Sequence, residues 1–402
     1  MKLSDRIQAL QPSATRVIAE RAADLKSQGI DVISLSTGEP DFVSPEAAFD
    51  GAREAMDSGW THYTATAGVT ELRQAVADYY DTRFGLSYQP TDVMVGSGAK
   101  PLLFEAFAAL VNPGDEVILT SPSWVSYVEQ VRFFGGAPVI VDTEETTLDL
   151  DVAAIEAAIT DRTVAFVLNS PHNPTGKIFS EESVAAICKL AVERNFMIVN
   201  DEVYERICFE GQRYRNPLSY APEAREHVLN INAASKTYAM TGWRIGFAVG
   251  PSPLIRKMTS LQGHVTSGAS SIAQWAALGA IRNAQQDVDD MIDIYEDRKN
   301  AVLALLDRIP KLSYITPQGA FYVFIDVRQS YGGRAGNAVI VDDVSFCEAL
   351  IEQAHLALVP GSAFLKSGYV RLSFATSLEL IETGLERLQR FMQDLQFSPE
   401  PN

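Results

Sequence analysis

The amino-acid sequence predicts an α/β fold in which helices cover both faces of a mostly parallel sheet, with a smaller α+β unit after it. Short apolar runs alternate with helical patterns from Asp92 to residue 309, as in repeated strand–helix units. Such continuous apolar runs are typical of parallel strands that are buried on both faces. Pro310 then marks a boundary, after which the order of elements becomes more mixed.

The segment before the sheet is expected to be mainly helical. A charged amphipathic stretch is broken at Pro12. Gly38 and Pro40 force a loop, and a glycine at this point lets a ligand approach the backbone closely. Tyr63 lies in a polar, aromatic loop. The expected elements are a helix at 14–28, a strand at 30–35 and helices at 45–58 and 71–84.

Seven apolar runs are expected to form the strands of the sheet. They are Val93–Val95, Glu116–Thr120, Pro138–Val141, Val164–Leu168, Phe196–Asn200, His227–Ile231 and Ile245–Val249. Polar clusters follow the runs that end at Thr120, Leu168 and Asn200. Ligands of parallel sheets bind in the crevice at the carboxyl ends of the strands. We therefore expect these clusters to converge, although they are far apart in the sequence.

The C-terminal part is expected to form a separate unit. Residues 269–309 are largely helical in pattern, and a flexible insertion is expected at 331–337. Further strands are expected near 321–326, 357–359 and 369–374, with helices near 343–354 and 377–395. This organisation predicts an N-terminal segment (1–45) that contributes to a small domain, a large ligand-binding domain (46–309) and a C-terminal small domain (310–402).

Composition excludes several classes of partner. The chain has 402 residues, of which 47% are apolar, and a formal net charge of −18. This charge disfavours nucleic acid and anionic membrane surfaces as partners. The three cysteines form no paired motif, so neither a disulfide framework nor a metal site is expected. No signal peptide is apparent and no apolar run approaches the roughly 18 residues of a membrane span, so a cytoplasmic protein is expected.

Lys236 follows the predicted strand at His227–Ile231, among small residues. A lysine in this position can face the crevice and form a Schiff base with an aldehyde cofactor. Ser235 and Arg244 are candidates to hold a phosphate beside it. A small-residue turn that includes Gly98 and Ala99 opens a helix and is a second candidate anion site. Taken alone, Lys236 is better explained as an exposed lysine in a turn, because lysine is usually exposed, and only the other motifs of the chain favour the functional interpretation.

Four motifs in this order resemble those of fold-type I, pyridoxal-phosphate-dependent aminotransferases of class I. They are Asn173-Pro-Thr-Gly176, Asp201-Glu-Val-Tyr204, Ser235-Lys236 and Gly242-Trp-Arg-Ile-Gly246. The resemblance extends over nearly the whole chain, and Ser121 to Tyr127 is similar to a motif of bacterial aspartate aminotransferases. It implies pyridoxal 5'-phosphate as cofactor, bound in the large domain.

The resemblance also implies roles for individual residues around the cofactor. Lys236 resembles the lysine that binds the cofactor as a Schiff base and then moves a proton. Asp201 resembles the carboxylate that keeps the ring nitrogen protonated, although by itself it could be a helix cap. The other implied contacts are Asn173 and Tyr204 at the ring's phenolate oxygen, Trp124 on the ring face, Gly98, Ala99, Ser235 and Arg244 at the phosphate, and Tyr63 at the phosphate of the neighbouring subunit.

For the substrate, Arg371 resembles the arginine that binds the α-carboxylate through two hydrogen bonds. Gly38 is expected on the other side of this carboxylate, and Trp124 and Asn173 also border the substrate. Lys100 matches a position where a lysine favours an acidic side chain. A cation is disfavoured at a helix N-terminus, which supports a functional role for Lys100 over a solvated surface charge.

Two positions depart from the family pattern. Some members use a lysine to handle prephenate where this chain has Gln11, which puts that activity in doubt. His172 stands where many relatives have asparagine, and the sequence assigns it no effect.

These observations predict a cytoplasmic, homodimeric transaminase with shared active sites. It is expected to move the amino group of L-aspartate to 2-oxoglutarate by a ping-pong mechanism. An aromatic or broad-specificity aminotransferase and a β-lyase on the same fold remain alternatives. A ligand-sensing DNA-binding regulator is disfavoured by the acidic charge and the short N-terminal segment. A nucleotide-binding dehydrogenase is disfavoured because no GxGxxG opens a strand–helix unit.

Overall fold

A computed structural model of the chain describes residues 1–10 and 14–397. The expected break at Pro12 and the departure at Gln11 lie outside the described residues. The described helices are α1 (Asp5–Ala9), α2 (Ala14–Ser27), α3 (Glu46–Asp57), α4 (Thr70–Phe84), α5 (Ala99–Leu110), α6 (Ser126–Phe133), α7 (Val152–Ala158), α8 (Glu181–Arg194), α9 (Ala234–Thr237), α10 (Ser252–Val265), α11 (Ser271–Asn283), α12 (Gln285–Leu306), α13 (Asp343–Ala354) and α14 (Leu378–Asp394). None of these has the length and apolarity needed to cross a bilayer.

The strands agree closely with the apolar runs. They are β1 (Ile33–Ser34), β2 (Val93–Gly96), β3 (Glu116–Ser121), β4 (Ala137–Asp142), β5 (Thr163–Asn169), β6 (Met197–Asp201), β7 (Val228–Ala233), β8 (Gly246–Val249), β9 (Ser313–Tyr314), β10 (Tyr322–Asp326), β11 (Arg334–Ala335), β12 (Ala338–Val339), β13 (Leu356–Ala357), β14 (Val359–Pro360) and β15 (Tyr369–Ser373). Each strand of the predicted sheet is present with ends within two residues of those expected.

Two local elements differ from the expected ones. The strand expected at 30–35 is only two residues long, because β1 pairs with the equally short β13. The insertion expected at 331–337 contains β11 of a short hairpin with β12, which the sequence did not predict. The backbone of Arg334 also exchanges hydrogen bonds with Gln396, at 2.8 and 3.0 Å. That partner lies 62 residues away, so local sequence contained no sign of it.

The central sheet has seven strands in the order β2-β8-β7-β6-β5-β3-β4. Strand β8 runs antiparallel to both of its neighbours, and the other pairs are parallel. Successive side chains point to opposite faces, so Val93 and Val95 join one core and Met94 joins another. Helices α3, α4, α8 and α11 cover the first face, and α5, α6 and α10 cover the second. The six parallel strands therefore end at one edge.

A second, antiparallel sheet has the order β14-β15-β10-β9. It packs with helices α12, α13 and α14 around a third core, which also includes Ile33 and Leu35 from the N-terminal segment. The loop after β1 is fixed by Arg298, which donates to both carboxylate oxygens of Asp41 at 2.7 and 2.9 Å. Residues 36–39 of this loop border one cavity together with Asp201 of the central sheet and Tyr322 of the second sheet.

Replacing Leu385 by alanine is expected to lower the free energy of unfolding by about 2–5 kcal/mol. Its side chain is 1% exposed in the core beneath α14, so truncation leaves a cavity. Leu380→Ala on the same helix is the matched control, because Leu380 is 44% exposed and should cost about 0.5 kcal/mol or less. Urea denaturation at one protein concentration measures both, and equal losses would contradict this packing.

Candidate active site

A cavity of about 500 Å³ opens at the edge where the parallel strands end. This volume suits a small-molecule ligand. Of the thirteen site residues predicted from the sequence, eleven line the cavity and two do not. The eleven are Gly38, Ala99, Lys100, Trp124, Asn173, Asp201, Tyr204, Ser235, Lys236, Arg244 and Arg371. A larger, shallower depression of about 760 Å³ adjoins it and shares only Arg244 with this set.

Gly98 and Tyr63 are the two that do not line the cavity. Gly98 lies directly behind Arg244, because a Cβ at this glycine would fall 2.4 Å from Arg244 Nη2. Its φ of 101° also favours glycine. Tyr63 is 96% exposed on the loop between α3 and α4, so a single chain does not bring it to the cavity.

One end of the cavity is built to hold an anion. Gly98 is the residue before α5, and the first free N–H groups of this 12-residue helix begin at Ala99. Arg244 lies beside this helix end, where its Nη2 donates to the Ser97 carbonyl oxygen at 3.5 Å, and Ser235 lines the same cavity. Strand β8 can approach it closely because a Cβ at Gly246 would lie 2.6 Å from the Ala99 backbone nitrogen.

Lys236 lies on the single helical turn α9, which directly follows β7. Its Nζ donates a hydrogen bond to the Gly38 carbonyl oxygen at 2.6 Å. Burial lowers the pKa of this amine to about 8, and the nearby Glu39 carboxylate partly opposes the shift. A much larger fraction of the amine is therefore neutral, and able to act as a nucleophile, than for an exposed lysine.

Asp201 is the last residue of β6 and is 4% exposed. Its Oδ2 accepts a hydrogen bond from the Tyr127 hydroxyl at 2.6 Å. Burial raises the pKa of Asp201 to about 6, although the Tyr127 hydrogen bond and the charge of Lys236 act in the opposite direction. At neutral pH the carboxylate is mostly ionised and favours a positively charged group beside it.

Arg371 is a buried cation at the other end of the cavity. Its Nη1 donates to Asn173 Oδ1 at 2.9 Å and its Nη2 to the Ser36 carbonyl oxygen at 2.7 Å. Its Nε is buried and has no partner among the described residues. The guanidinium carbon lies 4.3 Å from the ring centre of Tyr322 and 4.7 Å from that of Phe364. A guanidinium with an unused N–H in this setting favours an anionic partner.

Lys100 places a second cation near the cavity mouth. Its Nζ lies 4.7 Å from the ring centre of Trp124. Burial and the charge of Arg244 both lower the pKa of Lys100. The amine therefore lies over the face of the Trp124 ring, a contact that the sequence did not predict.

Several residues at or near the site had no assigned role in the sequence. Tyr127 belonged to a recognised motif, but nothing there indicated its bond to Asp201. Tyr322 lines the cavity from a strand that the sequence predicted. The local sequence did not indicate which face of that strand borders the cavity. His172 is buried, and its Nδ1 lies 2.8 Å from the Thr175 hydroxyl oxygen. Burial lowers the pKa of His172 to about 3, so this ring is neutral at physiological pH and supports the loop that carries Asn173.

The cavity fits the cofactor that the sequence resemblance implies. The helix end with Ser235 and Arg244 matches a phosphate, and buried Asp201 matches a pyridine nitrogen that carries a proton. Lys236 supplies an amine whose pKa is lowered to about 8, which suits reaction with the aldehyde group of the cofactor. Arg371, a buried cation that lines the same cavity, then supplies a positive charge for a carboxylate.

Comparison with known proteins gives a consistent result. Residues 30–388 match the family described as aminotransferase class I and II. The chain is 42% identical to an aspartate aminotransferase of Geobacillus stearothermophilus, over 98% of this chain and 99% of that one. It is 42% identical to an aspartate/prephenate aminotransferase of Thermus thermophilus, over 97% and 98% of the two chains. A solved aspartate aminotransferase from Thermus thermophilus with maleate superposes with a TM-score of 0.91 at 42% identity, over 97% of this chain and 100% of that chain.

The reactivity of Lys236 in the cofactor-free protein is expected to rise with pH through a midpoint near 8. Burial disfavours the ammonium form, so the neutral amine appears at lower pH than in an exposed lysine. Labelling with an amine-reactive reagent, followed by mass spectrometry of the Lys236 peptide, measures the midpoint. Glu39→Gln should move it lower, because Glu39 raises this pKa. A midpoint near 10 would contradict burial of the amine.

Proposed function

The chain belongs to the aminotransferase class I and II family and is therefore a pyridoxal-phosphate-dependent transaminase, and we propose that it transfers the amino group of L-aspartate to 2-oxoglutarate. The observation that carries the substrate assignment is the placement of two cations, Arg371 and Lys100, in one cavity with Lys236. A four-carbon or five-carbon dicarboxylate has an anionic group for each of them. The aspartate aminotransferases among its relatives support the same substrate class.

Pyridoxal phosphate supplies an electron sink that stabilises negative charge at the substrate Cα. Gly98, Ala99, Ser235 and Arg244 would hold its phosphate, and Trp124 would cover one face of its ring. Asp201 would keep the ring nitrogen protonated, with Tyr127 fixing the carboxylate at 2.6 Å. Asn173 would donate through its NH₂ group, because its Oδ1 already accepts from Arg371.

Lys236 has two tasks in this proposal. Its neutral amine would hold the cofactor aldehyde covalently. Once a substrate amine had displaced it, the freed Lys236 amine would be placed to take the proton from the substrate Cα and to deliver it to the carbon on the cofactor side of the transferred nitrogen. The pKa of about 8 suits both tasks, because the amine can accept and release a proton near neutral pH.

Arg371 and Lys100 would divide the recognition of the substrate. Arg371 would bind the α-carboxylate, with the Gly38 backbone close on its other side. Lys100 would bind the side-chain carboxylate above Trp124. An aromatic side chain offers Lys100 no opposite charge, whereas the carboxylate of aspartate or glutamate does, so the acidic substrate is preferred to the aromatic alternative.

We further propose that the protein works as a cytoplasmic homodimer with shared active sites. Support comes from the exposure of Tyr63, a large aromatic side chain that is 96% exposed in the single chain. In a dimer it would reach the phosphate in the neighbouring subunit. We also propose that residues 1–45 and 310–402 together form a small domain, and that residues 46–309 form a large one. The support is the pairing of β1, in the N-terminal segment, with β13 in the C-terminal part.

Lys236→Ala is expected to abolish transamination and the visible absorbance band of the Schiff base between Lys236 and the cofactor. The alanine methyl can neither bond to an aldehyde nor move a proton. Absorbance spectra and aspartate turnover of the purified variant measure the two losses. Lys189→Ala, on the exposed face of α8, controls for loss of a lysine elsewhere. Turnover at the wild-type rate without Lys236 would refute the assignment.

Lys100→Gln is expected to lower kcat/KM for aspartate and glutamate about tenfold to hundredfold, as for loss of a hydrogen bond to a charged group. The loss for alanine should be much smaller, because alanine has no side-chain carboxylate. Half-reactions with single amino acids, followed through the cofactor absorbance, provide the comparison. An equal loss for all donors would reduce Lys100 to a general structural residue. A wild-type preference for phenylalanine would instead favour the aromatic alternative.

A further inference from the structure

Tyr322 lies where the two sheets meet the cavity, and neither the motifs nor the relatives assign it a role. It is 1% exposed and lines the cavity from strand β10. In the register of β10 and β15, Phe324 faces Arg371, and Tyr322 faces Ser373. Tyr322 and Arg371 are therefore diagonal neighbours on the same face of the antiparallel sheet. The 4.3 Å between the guanidinium carbon and the ring centre follows from this register.

The hydroxyl of Tyr322 contacts a different part of the site. It lies 2.9 Å from the hydroxyl of Tyr204, and either oxygen can be the donor. Burial raises the pKa of both hydroxyls, so both keep their protons at physiological pH. The two hydroxyls thus carry two protons. One forms the hydrogen bond between the tyrosines, and the other is free to be donated to a further acceptor.

The same hydroxyl also limits the loop after β1. A Cβ at Gly38 would lie 2.4 Å from the Tyr322 hydroxyl oxygen, so only glycine lets the loop come this close. The Gly38 carbonyl oxygen in turn accepts from Lys236 Nζ at 2.6 Å. Tyr322 therefore contacts Tyr204, Arg371 and the loop at Gly38, whose carbonyl oxygen accepts a hydrogen bond from Lys236.

We propose that Tyr322 is a positioning residue with two separable roles, its hydroxyl directing the Tyr204 proton toward the cofactor and its ring supporting the Arg371 guanidinium for the substrate carboxylate. The roles of Tyr204 and Arg371 in this statement rest on the proposed function. When the Tyr204 hydroxyl donates its hydrogen bond to the phenolate oxygen of the cofactor, its proton is no longer available for Tyr322. The Tyr322 hydroxyl must then be the donor in the hydrogen bond between the two tyrosines. That donation makes the Tyr204 hydroxyl a stronger donor in turn.

Two substitutions separate the roles. Tyr322→Phe removes the hydroxyl and keeps the ring over Arg371, whereas Tyr322→Leu removes both. Tyr295→Phe is the matched control: Tyr295 is fully buried and its hydroxyl has no partner among the described residues. Each holoenzyme is titrated with pH while the visible cofactor band is recorded. The dissociation constant of maleate, a dicarboxylate without an amino group, is measured from the same band.

In Tyr322→Phe, the pH midpoint of the cofactor band should rise by about half a pH unit or more, because the phenolate oxygen of the cofactor loses part of its stabilisation by the Tyr204 hydroxyl. Maleate affinity should change less than about twofold, since the cation–π contact is retained. Tyr322→Leu should show the same rise and a further loss of maleate affinity of about fivefold or more. Tyr295→Phe should match the wild type in both measurements.

An unchanged midpoint in Tyr322→Phe would overturn the hydroxyl role, and unchanged maleate affinity in Tyr322→Leu would overturn the ring role. Loss of either role overturns the proposal as stated. Thermal unfolding of the cofactor-free variants establishes that each is folded before titration. Failure of the proposed function itself would be seen separately, as a wild-type protein that shows no cofactor band with added pyridoxal phosphate.

Discussion

The buried guanidinium of Arg371 is the constraint on which the geometry of the cavity depends. A charge taken out of water costs several kcal/mol unless hydrogen bonds and neighbouring groups replace the solvent. Here the replacements come from the Ser36 carbonyl, the Asn173 side chain and the rings of Tyr322 and Phe364. These groups belong to four separate segments of the chain. Satisfying this one cation therefore fixes the loop after β1, the loop after β5 and the antiparallel sheet relative to one another.

Burial acts on the two titrating groups of the cavity in opposite senses. The same removal from water raises the pKa of Asp201 to about 6 and lowers that of Lys236 to about 8. Both shifts favour the neutral forms. The attraction between the two opposite charges reduces each pKa shift, because it favours the charged forms. Between these values the carboxylate is mostly charged, and the amine can still exchange a proton with the solvent. The fold thus places a base and a counter-charge in one cavity without neutralising the carboxylate.

The sequence was most informative where function lies next to a strand end. Lys236, Asp201 and Asn173 could be placed because the carboxyl ends of parallel strands converge by topology alone. Tyr322 and Tyr127 could not, because their roles depend on partners 118 and 74 residues away and on the facing of a side chain. The hairpin at 334–339 was missed for the same reason, since its anchor is the distant Gln396. Tyr63 stands apart, because it is 96% exposed and does not line the cavity of the single chain.

The antiparallel direction of β8 has a further consequence for how this protein can change. Strands β3, β5, β6 and β7 are linked by crossovers that travel the length of the sheet, and their helices and loops can absorb inserted residues at the far side. Strand β8 begins at the edge where β7 ends, so residues 234–245 never leave that edge. Lys236 and Arg244 are consequently carried on one short span whose length sets their separation. A change in the length of this span between Lys236 and Arg244 would therefore move the two residues relative to each other, whereas an insertion in a crossover at the far side would leave the site geometry unchanged.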